Sequence, residues 1–299
     1  MKTHFQPAAS RLPIAVRAGL LLAVSGALWW GPLTKVVRLA IRDEAYTHIL
    51  LIVPLSCALL YLERNLVSPI ETNLGWGSAW LVTALMIAGF ARWTPLELSE
   101  DVRLSLSMLA LVLWWIGSFI LCFGRRRFQS LLFPLCFLLW IVPLPAIALD
   151  EVVYFLQQQS AFAARIMFMA TGIPAIQDGV MLSIPNLDIE VARECSSIRS
   201  SMLLVITTTV LAHLFLRSWW RKALLIAVAI PMAAIKNGFR IFVITELGTR
   251  VDPRFFDGNL HHRGGILFLG AALITMSLLL YGLRRTETVA PTPLSTSPG

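Results

Sequence analysis

Cysteine chemistry is concentrated in "VARECSSIRSSMLL", Val191 to Leu204, where a charged stretch gives way to a long apolar run. Cys195 stands there between Glu194 and the hydroxyl pair Ser196 and Ser197, with Arg199 four residues on. At the mouth of a helix, free backbone amides and the helix dipole stabilise a thiolate and lower its pKa. Arg199, one turn in, adds positive charge on the same side. The plainer reading is an interfacial cysteine with Ser196 or Ser197 as an N-cap, and this stretch alone does not choose between the two. Cys57, Cys122 and Cys136 differ from Cys195 in sitting inside apolar runs, where cysteine is ordinarily a small, inert packing residue.

Three further clusters carry polar chemistry. In "IPMAAIKNGFRIFVITELGTR", residues 230 to 250, Lys236 and Arg240 interrupt an apolar run at helical spacing, with Asn237 on an overlapping face. A charge at membrane depth costs at least about 2.5 kcal/mol at a helix centre and marks a functional site by default. Snorkelling to the interface is the competing account; it suits Lys236 better than Arg240, which "IFVI" still follows. In "FFDGNLHHRGGILFLG", His261 and His262 precede Gly264 and Gly265. Two adjacent histidines rarely share one ion without a third ligand, and no HExxH or CxxC partner is seen, so no metal and no cofactor is expected. Proton transfer for a thiol nucleophile is the better role. Last, "RDEAYTHILLIVP" puts Tyr46 and His48 at the start of another apolar run, where they are read as supporting residues.

The elements that must position these residues follow from composition. Of 299 residues 57% are hydrophobic and only 14% charged, and the mean hydropathy is +0.73. No soluble domain of this length is so apolar, so the chain is read as an all-α polytopic membrane protein. The net charge of +8 is scattered between apolar runs with no stripe to track a phosphate backbone, which argues against nucleic acid. A span needs about 20 apolar residues, and eight windows meet that length: 13–30, 46–62, 75–92, 104–123, 129–148, 200–216, 223–243 and 265–283. Lys2, Arg11, Arg17, Arg64, Arg125 to Arg127, Arg217, Arg221, Lys222, Arg284 and Arg285 fall on one side if both termini are cytoplasmic.

The first window has no small-residue cleavage site after "GALWWGPL" and is read as an uncleaved helix rather than a signal peptide. Residues 1–285 are expected to form one transmembrane domain, and 286–299, rich in Pro, Ser and Thr, a disordered cytoplasmic tail. The connector from Asp150 to Ser197 is too long for a bare loop. Its first half spaces Val152, Phe155, Phe162, Ile166 and Met169 as an interfacial helix would. Its second half alternates Val180, Leu182 and Ile184, breaks at Pro185-Asn186, then alternates Leu187, Ile189 and Val191, the pattern of a small hairpin leading to Cys195.

This topology brings Cys195, Arg240 and His261 from three segments to one membrane face and leaves Cys195 the only outer thiol, with no disulfide partner. A thiolate attacking a carbonyl, a histidine moving the proton and an arginine facing the oxyanion make an acyl-transfer site working through a thioester.

The same residues resemble the exosortase and archaeosortase family of polytopic membrane transpeptidases. Its cysteine motif, roughly E-x-C-S-G-I/L-R-S, is matched by "RECSSIRS", with Glu194 directly beside Cys195 and Ser197 where the family has glycine. Its N-x-x-R-I is matched by Asn237, Arg240 and Ile241; its His followed by Gly four residues later by His261 and Gly265, with His262 as the alternative. "YTH" at Tyr46 to His48 and "FPLCFLLWIVPLP" at Phe133 to Pro145 extend the likeness. The resemblance implies a cysteine enzyme that recognises a C-terminal sorting signal on membrane-anchored exported proteins: a Pro-Glu-Pro-like motif, a transmembrane helix and a basic cluster. It implies cleavage near the motif and transfer to an acceptor such as a glycan or lipid, often alongside exopolysaccharide production, in a Gram-negative inner membrane with the site facing the periplasm.

Two rivals stand beside this reading: a serine-type intramembrane protease using Ser196 or Ser197, and a transporter or polysaccharide-export component with Lys236 and Arg240 lining a solute path. A membrane-impermeant thiol reagent applied from the outer side is expected to abolish a cysteine enzyme's activity. Full activity after stoichiometric labelling of Cys195 would favour the serine enzyme.

Overall fold

In a bilayer every backbone N–H and C=O must be satisfied internally, so the apolar runs fold as helices. The computed structural model describes residues 13–64, 74–191, 198–255 and 265–287. The helices are α1 (Ile14–Arg42), α2 (Ile49–Glu63), α3 (Leu74–Trp93), α4 (Glu100–Phe123), α5 (Arg125–Ser130), α6 (Leu132–Phe137), α7 (Ala146–Ala170), α8 (Ile198–Phe215), α9 (Trp219–Arg250) and α10 (Gly265–Arg285). The chain divides into two compact units, Met1–Ala148 and Leu149–Gly299.

Among the described residues six helices are long and apolar enough to cross a membrane: α1, α2 with the 3-10 turn before it, α4, α8, α9 and α10. The number rises to seven if the bent pair Leu132–Ile141 and Ala146–Ala170 is one span. The protein is therefore an all-α, multi-pass membrane protein with fewer clear spans than the expected eight. Two windows account for the difference. Helix α3 follows the third window but is not among these six. The fifth window, 129–148, is not one helix: it runs through α5, α6 and a 3-10 turn at Leu138–Ile141, then breaks before α7.

The break has a local cause. Pro143 and Pro145 lack N–H donors, and each pushes the residue before it toward extended backbone, as Val142 shows at φ −74 and ψ 113. The carbonyls this leaves without helical partners are met from elsewhere in the first unit. Ser105 Oγ donates to Pro143 O at 2.7 Å and Tyr46 Oη to Leu144 O at 2.8 Å. Asp101 Oδ2 accepts the Ala146 N–H at 2.6 Å, supplying an N-terminal cap to α7 from α4. Helix α1 continues well past its expected end to Arg42, and its backbone leaves helical geometry at Trp29 (φ −108, ψ 15), three residues before Pro32.

In the second unit, α8, α9 and α10 pack around Leu204, Ala212, Leu225, Ala229, Ala233, Ala272 and Met276. Alanine at the contacts lets the helices approach closely where no solvent-driven hydrophobic effect separates protein from lipid. At one end of this bundle the Glu287 carboxylate accepts from Arg217 N at 3.0 Å and Ser218 N at 3.0 Å and pairs with Arg221 at 3.5 Å. The Ser218 amide first, then Arg217 and Arg221, hold this carboxyl below its ordinary pKa. The C-terminal ends of α8 and α10 therefore meet at this end, beside the start of α9, and Glu287 is anchored although it falls in the stretch expected to be disordered.

Helix α7 turns Leu149, Val153, Leu156, Ser160, Ala163, Ala164 and Phe168 inward. The stripe read from the sequence as its apolar face lies on the other side: Phe155, Phe162, Ile166 and Met169 are about half exposed. Large apolar side chains left outside a small-residue contact face are what lipid contact permits. Strands β1 (Ile176–Asp178), β2 (Met181–Ile184) and β3 (Leu187–Glu190) follow as an antiparallel sheet. The alternation anticipates β2 and β3, which pair Ile184 with Leu187 across a turn where Asn186 adopts φ 66. Strand β1 is an addition that alternation over three residues could not signal. Leu182 and Val191, both fully buried, seat the sheet on Ala161, Ala164 and Phe168 of α7 and Ile241 of α9.

The crossing of α9 on α7 depends on Gly238. A Cβ there would lie 2.6 Å from Ala163 Cβ, 2.8 Å from Ala164 N and 2.8 Å from Ser160 O. Backbone cannot yield as a flexible side chain can, so Gly238→Val is expected to destabilise the protein by about 1–3 kcal/mol or more. A lowered melting temperature of the detergent-solubilised protein would register it; an unchanged one would refute the crossing.

Candidate active site

Nearly two turns of α9, Lys236 to Phe242, reach α7, α8 and α10. Lys236 and Arg240 are four residues apart and Asn237 and Arg240 three apart, so all three share one side of the helix. Lys236, Asn237 and Arg240 are 6%, 0% and 8% exposed respectively. Lys236 does not snorkel, which corrects the sequence reading: its Nζ donates to Ser200 Oγ in the first turn of α8. Among the described residues it has no carboxylate within ion-pair distance, so a hydroxyl partner replaces the water that snorkelling would have reached. On other sides of the same turn, Gly238 meets α7, the Phe239 ring packs edge-on against Phe268 of α10 at 5.9 Å, and Phe242 packs against Phe168 at 5.0 Å.

These contacts define an end of the bundle opposite Glu287. Because α8 and α10 meet at their C-terminal ends, both begin at this end, as Ser200 on Lys236 and Phe268 on Phe239 independently require. Helix α8 begins at Ile198, three residues after Cys195 in the sequence, and α10 at Gly265, four after His261. Cys195, Glu194, His261 and His262 themselves lie outside the described residues, as do Ser196 and Ser197. Arg199 is described: it occupies the first turn of α8 and is exposed.

The approach to the cysteine segment is fixed firmly. Gln157 Nε2 on α7 donates to the Val191 carbonyl at 2.6 Å, and the Val191 N–H donates to Val180 O at 3.0 Å. Val191 on one flank and Ser200 on the other are thus both buried and hydrogen-bonded. The sequence reading passed over Ser200, Gly238 and Gln157. A lysine in an apolar run does signal a buried polar partner, but nothing in the sequence says which of several hydroxyls supplies it.

Tyr46 and His48, read as supporting residues, belong to the first unit and have structural partners there. Tyr46 is 7% exposed and holds the Leu144 carbonyl. His48 is 9% exposed, with Nδ1 3.1 Å from Ala45 O and its ring edge-on to Trp140 at 6.5 Å. Of the remaining cysteines, Cys122 is buried, Cys136 half-buried and Cys57 exposed, and all three are free thiols.

Comparison with curated proteins finds no match, and comparison with solved structures finds none either. A protein-family comparison does match. The model of the transmembrane exosortases covers residues 35–278, from the second half of α1 into α10, and so takes in the Cys195 segment, the Lys236–Arg240 turn and the histidine pair. With more than three-quarters of its length inside that match, this chain belongs to the transmembrane exosortase family.

Proposed function

We propose that the protein is a membrane-embedded cysteine protease and transpeptidase that cleaves a C-terminal sorting signal on exported, membrane-anchored proteins. The observation that carries this reading is the convergence at one end of the α8–α9–α10 bundle. The first turns of the two helices that follow Cys195 and His261 flank the α9 turn bearing Arg240. Extended backbone covers at most about 3.6 Å per residue, so three residues tether Cys195 within about 11 Å of Ile198. Family membership adds the chemistry expected of a membrane cysteine transpeptidase.

In this reading the Cys195 thiolate attacks the scissile carbonyl carbon. The tetrahedral oxyanion that forms is stabilised by the Arg240 guanidinium. His261, with His262 as the alternative, gives a proton to the departing amine, so the C–N bond breaks and a thioester to Cys195 remains. An acceptor nucleophile, a glycan or lipid group, then loses its proton to the histidine, attacks the thioester and releases the thiolate. Asn237 is buried beside Arg240, and Glu194 and Arg199 flank the nucleophile in the sequence as supporting residues. Lys236 serves by fixing the first turn of α8 through Ser200. Both termini are cytoplasmic, the membrane is a bacterial inner membrane, and the site faces the periplasm, where a transmembrane substrate presents its cleavage motif.

A transporter or an exopolysaccharide-export component is less well supported. Gly238 packs against α7 with no room for even a methyl group, and Lys236 and Arg240 gather at one end of the bundle instead of lining a path through it.

Co-expression with a substrate carrying the three-part signal tests the reading. Cys195→Ala is expected to abolish processing, Arg240→Ala to slow it about 10²–10³-fold, and His261→Ala about 10²–10⁴-fold. Normal processing by a stably inserted Cys195→Ala protein would sink the proposal. A large loss in His262→Ala with none in His261→Ala would move the proton-transfer role by one residue.

A further inference from the structure

The first unit holds a cavity of about 490 Å³ between α1, α3 and α4, apart from any residue assigned above to the acyl-transfer site. Its size falls within the roughly 300–1,000 Å³ of small-ligand pockets. Its apolar part is lined by Leu28, Trp29, Leu85 and Leu104, and its rim by Lys35, Arg92, Arg103 and Glu100.

Two features show that the space is built and not left over from poor packing. The first is the break of α1 at Trp29, which lines the cavity together with Pro32 three residues on. Below the break α1 is tied down: Trp114 Nε1 donates to Leu21 O at 3.1 Å, Trp115 Nε1 to Ser25 Oγ at 3.1 Å, and the Trp29 ring packs on Trp114 at 5.6 Å. The second is a contrast between glycines. Gly77 and Gly117 are demanded by close α3–α4 contact, since a Cβ would meet Leu121 Cα at 2.7 Å and Trp80 Cβ at 2.9 Å. The cavity glycines are not: a Cβ on Gly31 would meet nothing within 4 Å, and one on Gly89 only the Trp93 ring, 3.4 Å away. Gly31 and Gly89 thus line the cavity without being required by protein contact.

The rim is cationic. Lys35 and Glu100 pair at 2.9 Å and cancel. Arg103 spends its guanidinium on the carbonyls of Ala91, Leu96 and Leu98, at 3.0, 3.2 and 3.2 Å, fixing the connection between α3 and α4. It keeps its charge. Arg92, beside Trp93 at the end of α3, is exposed and has no carboxylate within ion-pair distance among the described residues. Three cations against one carboxylate leave the rim at +2, above an apolar slot in a chain that spans a bilayer.

We propose that this cavity is a binding site for an anionic membrane phospholipid, with an acyl chain between α1, α3 and α4 and the phosphate-bearing head at Arg92 and Arg103. Apolar depth and a cationic mouth are the complement of such an amphiphile, and a zwitterionic lipid would leave the excess charge unanswered. The proposal is independent of the cysteine reading, since it uses no residue of the second unit.

Native mass spectrometry of the full-length protein, released from detergent with phosphatidylglycerol or phosphatidylethanolamine added at equal concentration, provides the test. Selective retention of phosphatidylglycerol is expected, with retention falling about tenfold in Arg92→Glu and also falling in Gly89→Leu, whose side chain enters the slot. Arg92→Gln, a milder change at an exposed position, gives the same direction should either of these variants fail to fold. Inorganic phosphate is expected to leave the lipid in place. Equal retention of the two lipids, retention unchanged in Arg92→Gln and Gly89→Leu, or displacement by phosphate alone would each overturn it.

Discussion

Two cations, Lys236 and Arg240, lie one turn apart and buried in α9, and the second unit is arranged to keep both inside protein. Charges at such depth are costly unless polar groups reach them. Lys236 obtains a hydroxyl from Ser200, which requires the first turn of α8 to lie against this part of α9. Gly238, two residues on, lets α7 come to backbone contact on another side, and Phe239 engages α10. With one turn fixed by three neighbours, the starts of α8 and α10 have little freedom. The polar residues and the tight crossing thus work together: the close packing excludes lipid, and the hydroxyl answers the charge that the packing buries.

A similar economy operates in the first unit at the Val142–Pro145 break. Two prolines remove donors and turn the chain, stranding carbonyls in apolar surroundings where each unsatisfied group is expensive. Ser105, Tyr46 and Asp101 meet these groups from three directions. An irregular segment is tolerated here because protein side chains supply what lipid cannot. Tyr46, whose place beside His48 in "YTH" invites a functional role, is occupied by this structural task.

Much of the architecture is legible from composition and hydropathy, because in a membrane protein the bilayer imposes a local rule on every span. Seven of the eight apolar windows coincide with single helices, and the hairpin alternation around Pro185-Asn186 coincides with β2 and β3. Where the reading falls short, a neighbour is responsible. The stripe Phe155, Phe162, Ile166 and Met169 is left exposed, as the lipid face of an interfacial helix is; what the stripe does not reveal is the opposite, packed face of Ala, Ser and Leu, since close helix contact in lipid rewards small residues over large ones. The 129–148 window is apolar throughout, and only its prolines, satisfied by distant side chains, divide it.

For the candidate site, residue types alone single out Cys195, Arg240 and the histidine pair, because a thiol in a polar stretch, a charge inside an apolar run and adjacent histidines are each anomalous where they stand. Type and spacing also suffice for the membrane class and the helical content, which depend on properties of single segments. The partner of Lys236, the necessity of Gly238, the anchoring of Val191 by Gln157 and the orientation of α8 beside α10 depend on pairs of residues far apart in the chain. Hydropathy scores each segment by itself and carries no record of which segments touch, so those pairings were decided only when the helices packed.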